Sequence, residues 1–129
     1  MADNISAGVA NSVLNALVNG VSFAGFSATY ALLHVGAPGA AGTSNIAGNN
    51  VRQAAGAFAT PSGGTTSNSG AITWSSVSTA ETYSHVTLWS ASSGGTFIAS
   101  GSITAGAILV GQTFTIPAGG LSVTLPVAS

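Results

Sequence analysis

Charged side chains are almost missing from this chain: among 129 residues there is one Lys or Arg and there are two Asp or Glu, 2% of the total. Globular chains carry about 25%. Arg52 is the cation, and Asp3 and Glu81 are the anions. A single guanidinium cannot neutralise a row of phosphates, so nucleic acid is not expected as a partner. Attraction to an anionic membrane surface fails on the same count. Two carboxylates, one near the N-terminus and one in a predicted loop, make a poor pair for acid–base hydrolysis. A Ser–His–acid triad would need Asp3 or Glu81 to orient His34 or His85, and no G-x-S-x-G elbow occurs. The expectation is a protein that is not an enzyme.

Other absences narrow the reading further. There is no cysteine, which excludes disulfides and thiolate metal sites. The remaining ligand types are His34, His85, Glu81 and Asp3, with no H-x-x-x-H spacing, so neither a metal nor a cofactor is expected. Gly36, Pro38, Gly39 and Gly42 form a loop without the lysine of a phosphate loop. No apolar run reaches the ~18 residues of a membrane helix, and the N-terminal segment lacks a basic n-region, so no membrane or secretory role is expected. Asn4-Ile5-Ser6 matches a glycosylation sequon without a secretory context. A formal net charge of -1 gives copies little reason to repel one another. Near-zero charge favours association, so a homo-oligomer is expected.

What is present is a change of period. Val9, Val13, Leu14, Leu17 and Val18 recur at helical spacing, with Ser6 or Asn4 as N-cap and Gly20 as the stop, which predicts a short amphipathic helix over 6–19. That helix either packs on the core or, because its opposite face is Asn and Ala rather than charged, lies on a neighbouring subunit. After Gly25 the apolar positions alternate. Strands are expected near 28–35, 51–59, 71–76, 84–91, 96–103, 112–116 and 121–127, separated by Gly- and Pro-rich turns. The fold class is mainly β: a single domain over 1–129, with a β-domain at 26–127. A β-sandwich or Greek-key barrel of about seven to eight antiparallel strands is expected. Phe114 and Ile116, then Leu121, Val123 and Leu125, alternate with Ser and Thr around Pro117 and Gly119–Gly120, which predicts a closing hairpin.

Trp74, Trp89 and Phe97 are expected in the core, where aromatic rings bury most area. A sugar-stacking platform of Trp74, Trp89 or Tyr83 is the less favoured reading. Leu88 and Trp89 point to opposite faces of a regular strand, so one of them is expected outside the core, where it would mark an interface.

Taken together, Leu33-His34, Arg52-Gln53, SNSGAITW, Leu88-Trp89 and Pro117-Ala118-Gly119 resemble a family of small β-rich virion proteins of tailed bacteriophages, notably those infecting actinobacteria. Its members are labelled tail fibre, minor structural or capsid decoration proteins. The resemblance runs from about Leu14 to Leu125. It implies a non-enzymatic structural role in the virion, made in the host cytoplasm. Capsid decoration is the first expectation, with the major capsid protein or other virion proteins as partners and a trimer preferred. A tail fibre or tail-tip subunit, with host glycan as its further ligand, is the alternative. Arg52, Gln53, His34, Trp89 and Glu81 are the candidate interface or structural contacts. Arg52 either pairs with Glu81 or clamps loop carbonyls, pinning the 36–50 loop, or reaches an acidic group on a neighbour.

Overall fold

The computed structural model of the chain describes residues 4–128. The N-terminal helix forms where the apolar spacing places it. Strand β1 (Asn4–Ile5) leads into α1 (Ala7–Asn19). Ser6 caps the helix, its Oγ accepting from the Val9 N–H and donating to the Phe97 carbonyl at 2.7 Å. The same hydroxyl therefore starts the helix and ties it to the sheet. Gly20 ends it in the left-handed conformation, φ 67°, with its N–H on the Asn15 carbonyl.

The remaining elements are strands: β2 (Tyr30–His34), β3 (Gln53–Ala54), β4 (Thr65–Ser67), β5 (Ile72–Trp74), β6 (Glu81–Trp89), β7 (Phe97–Ile108), β8 (Phe114–Ile116) and β9 (Ser122–Thr124). A five-stranded sheet runs β1-β7-β6-β2-β3, antiparallel throughout. Two short pairs, β4-β9 and β5-β8, form the facing layer. β5 lies beside β3 and β9 beside β1, so the split layer spans the large sheet from edge to edge. The mainly β sandwich expected from the alternation is what forms.

Between the layers, Ala31, Leu33, Val86, Leu88 and Ala99 of the large sheet meet Ile72, Trp74, Ile116 and Leu121. Where the β6–β7 register shifts between Tyr83 and His85, the extra residues lie in β7, and Tyr83 sits in this core. Its ring packs edge-on against Phe114, centroids 4.9 Å apart. Phe114 in turn rests on Gly106, where an added Cβ would lie 2.9 Å from the ring.

Three expectations need correction. The segment 51–59 pairs only at β3, with an isolated bridge from Phe58 to Asn68, because Gly56 takes φ 70° and breaks the extended run. The segment 61–70, read as a loop, contains β4. The closing hairpin does not form: β8 pairs with β5 and β9 with β4. Asn68 is the reason. Its buried side chain donates to the carbonyls of Pro117 and Gly70, and its Oδ1 accepts from the Leu121 N–H. Its main chain also bonds Leu121 and Gly119. The turn groups that would close a hairpin are thus engaged with Asn68, and the chain arches from one strand pair to the other.

The second face of the large sheet is covered as well. Residues 35–50 fold over it, held by Val35 N–H to Asn45 O and Ala47 N–H to Leu33 O. Pro38 is fully buried there, and Gly42, at φ 71°, sits on Phe97 with space for no Cβ.

Candidate functional site

Of the five residues singled out from sequence, Arg52, Trp89, His34 and Glu81 gather on and around this second face, although they do not form one constellation. Arg52 lies one residue before β3. Its Nη1 donates to the carbonyls of Ala91 (2.8 Å) and Gly94 (2.7 Å), in the turn between β6 and β7. The guanidinium carbon stands 4.2 Å above the centre of the Trp89 ring. Trp89 stacks in turn on Phe97, centroids 5.3 Å apart. The carbonyl clamp is therefore real, but it pins the 90–96 turn rather than the 36–50 loop. Arg52 does this instead of pairing with Glu81.

This geometry also corrects the expectation that Leu88 or Trp89 is exposed. They do point to opposite faces, yet both are buried, Leu88 at 3% and Trp89 at 8% exposure. Leu88 enters the core, and Trp89 is roofed by Arg52. A planar cation is suited to that position because it stacks on the indole while keeping its edge for carbonyls. Gln53 follows in β3, half-buried and opposite Ala31.

Glu81 is the first residue of β6, not a loop residue. Its carboxylate accepts the N–H of Gly48 at 2.9 Å and of Asn49 at 3.2 Å. Asn49, itself buried, accepts from the Ser78 N–H. The 36–50 loop is thus fastened by the anion. Asp3 lies outside the described residues.

His34 stands opposite His85 in the β2–β6 pairing and is fully buried. Its Nδ1 lies 2.8 Å from the Ser44 carbonyl, and its Nε2 lies 2.9 Å from Thr87 Oγ1. A carbonyl only accepts, so Nδ1 carries the proton and Nε2 accepts from the Thr87 hydroxyl. That oxygen accepts in turn from the Trp89 indole N–H at 2.8 Å. Trp89, Thr87, His34 and Ser44 therefore form one directed chain with every buried group satisfied. Burial pushes the His34 pKa below its ordinary value; the Ser44 hydrogen bond opposes this and nearby His85 adds to it. The neutral ring is the form that fits the chain of bonds.

Arg52 and Glu81 are both committed to main-chain groups. Among the described residues, no three His, Asp or Glu side chains gather to hold a metal ion. Trp74, Trp89 and Tyr83 are buried, so none of them offers an open stacking face to a sugar. A groove of about 360 Å³ lies between the start of α1, residues 37–40 and Phe97, and none of the described residues that line it is charged. Among the described residues, no helix is long and apolar enough to cross a membrane. Sequence reasoning missed Asn68 and Thr87, whose roles depend on partners distant in the chain.

No curated protein matches the chain in a sequence search. A family model does: the one described as podophage GP4 fiber I protein gp80, matching residues 4–124. The match spans β1, α1 and every later strand through β9, and with it both clamps and the buried His34 chain. The chain belongs to the podophage GP4 fiber I protein gp80 family, a family of phage virion structural proteins.

Proposed function

We propose that this protein is a non-enzymatic subunit of a phage tail fibre that assembles with copies of itself. The observation that carries the reading is the family match across residues 4–124, whose description is that of a fibre protein. The site geometry supports the non-enzymatic part. Catalysis by acid and base needs groups free to exchange protons with a substrate. Here Arg52 and Glu81 are bonded to backbone, and His34 is fully buried. The near-neutral composition supports self-association.

Capsid decoration, the first expectation from sequence, becomes the second reading. What favours it is that its strands carry Thr and Ser outward, as at Thr73 and Thr115. Weak contacts of that kind, repeated over a lattice, bind by avidity. Copy number separates the two. Quantitative mass spectrometry of purified virions is expected to find on the order of ten copies, a multiple set by tail symmetry. Tens to hundreds of copies mapped to the head would replace the fibre reading with decoration.

A further inference from the structure

The helix carries more apolar surface than its own domain covers. Val9 is buried and Val13 half-buried against the β7 side. Leu14, Leu17 and Val18 are centred roughly 110° further round the helix, at 3.6 residues per turn. They are 55%, 74% and 71% exposed. Just past the Gly20 cap, Val21 and Phe23 add 53% and 38% exposure. Phe23 is held by an edge-on contact with Phe26 at 6.0 Å, and Phe26 packs on the core. The patch is therefore built from two successive segments, and its non-helical half is anchored to the core.

We propose that this surface, Leu14, Leu17, Val18, Val21 and Phe23, is the face through which copies of this chain associate. Three observations select a second copy as the occupant. First, Leu14, Leu17 and Val18 stand at the i, i+3, i+4 spacing of a stripe that packs one helix on another element. Second, the helix carries no charged residue, and its neighbouring face is the row Asn11, Asn15 and Asn19, with Asn19 Nδ2 bonded to Asn15 Oδ1 at 2.9 Å. Partner choice between different helices is commonly set by flanking charges. None exist here, and nothing in a neutral patch makes two copies repel. A lipid surface is disfavoured for lack of Lys or Arg along the helix.

Third, the area suffices. Side chains of these sizes and exposures present on the order of 500 Å² of apolar surface per copy, near the upper end for the largest patch on a monomer. Two such patches pressed together bury on the order of 1,000 Å², the level at which specific interfaces begin. An isologous contact, with the helix of one copy against the 21–23 segment of the other, uses both halves of the patch on both sides.

This inference rests on the self-assembly part of the proposed function, and it fails separately from the fibre assignment, which copy number on the virion tests. The experiment is sedimentation equilibrium of the full chain at micromolar concentrations. The expected mass is twice 12.3 kDa. The double variant Leu14→Gln, Leu17→Gln is expected to lose at least tenfold in association affinity and to sediment at 12.3 kDa, with an unchanged circular dichroism spectrum. Asn15→Ala, on the neighbouring face, is expected to keep the wild-type mass. A wild-type chain that sediments as a monomer throughout the range overturns the proposal. So does a folded double variant that keeps the oligomeric mass.

Discussion

Replacing Arg52 with Met tests the roof over Trp89 most sharply, because Met keeps an unbranched chain above the ring while removing the charge and both donors. Hydrogen bonds to a charged group are worth about 1.5–3 kcal/mol each. The carbonyls of Ala91 and Gly94 sit in an exposed turn and regain water when released, so each loss lies nearer 1 kcal/mol. The stacked cation adds about 0.5–1 kcal/mol at a site this open. The total, about 2–3 kcal/mol, lowers the melting temperature by roughly 10 °C for a domain of this size. Thermal unfolding followed by circular dichroism, at equal protein concentrations, measures it. Tryptophan emission supplies a second readout. Trp74 stays in the core in both proteins, so a red shift reports Trp89 meeting water. Arg52→Lys is expected to fall between the two, since an ammonium keeps the charge without the planar stack. A melting temperature within about 2 °C of wild type, with unchanged emission, would refute the clamp.

Other perturbations follow from the buried polar groups. His34 has a pKa lowered in the fold, so the unfolded chain takes up its proton first as pH falls. Stability is therefore expected to be flat at higher pH and to decline as pH drops below about 6.5, the ordinary imidazole value. Urea midpoints measured across that range check this, and the decline should flatten in His34→Gln. Asn68→Ala removes three side-chain bonds and leaves the buried Leu121 N–H without its acceptor, an expected loss of about 3 kcal/mol in urea unfolding. Tyr83 presents the opposite case. Its hydroxyl is buried with no hydrogen-bond partner among the described residues, so Tyr83→Phe is expected to be neutral or to stabilise by up to about 1 kcal/mol. A loss of that size on removing the hydroxyl would contradict the packing described.

Much of the layout was legible because period and caps are local signals. Ser6, Gly20 and the spacing of Val9 and Val13 placed the helix, and alternation placed Tyr30–His34 and the second half of β6. The faces of β6 were harder to read. Simple alternation put either Leu88 or Trp89 outside, because it assumes that one side of the sheet meets solvent. The 35–50 loop covers that side instead, and loops of Gly, Ala and Ser give no sign of what they lie on. The false hairpin has a similar origin. Pro117 and Gly119–Gly120 look like a reversal, and only Asn68, some fifty residues away, turns them into an arch. A carbonyl clamp is one of the roles the sequence leaves open for Arg52, and it falls on the 90–96 turn rather than the 36–50 loop because nothing in the sequence says which carbonyls lie within its reach. The split of the helix stripe, half inward and half outward, depends on how far α1 overlaps the sheet, and periodicity does not carry that information.

The central claim, that this is a fibre component of a phage virion, is tested most directly by mass spectrometry of purified particles combined with antibody labelling in electron micrographs. The account predicts a low, symmetric copy number with label on the tail. Absence of the chain from intact particles would contradict it outright, and label distributed over the head would move it to the capsid.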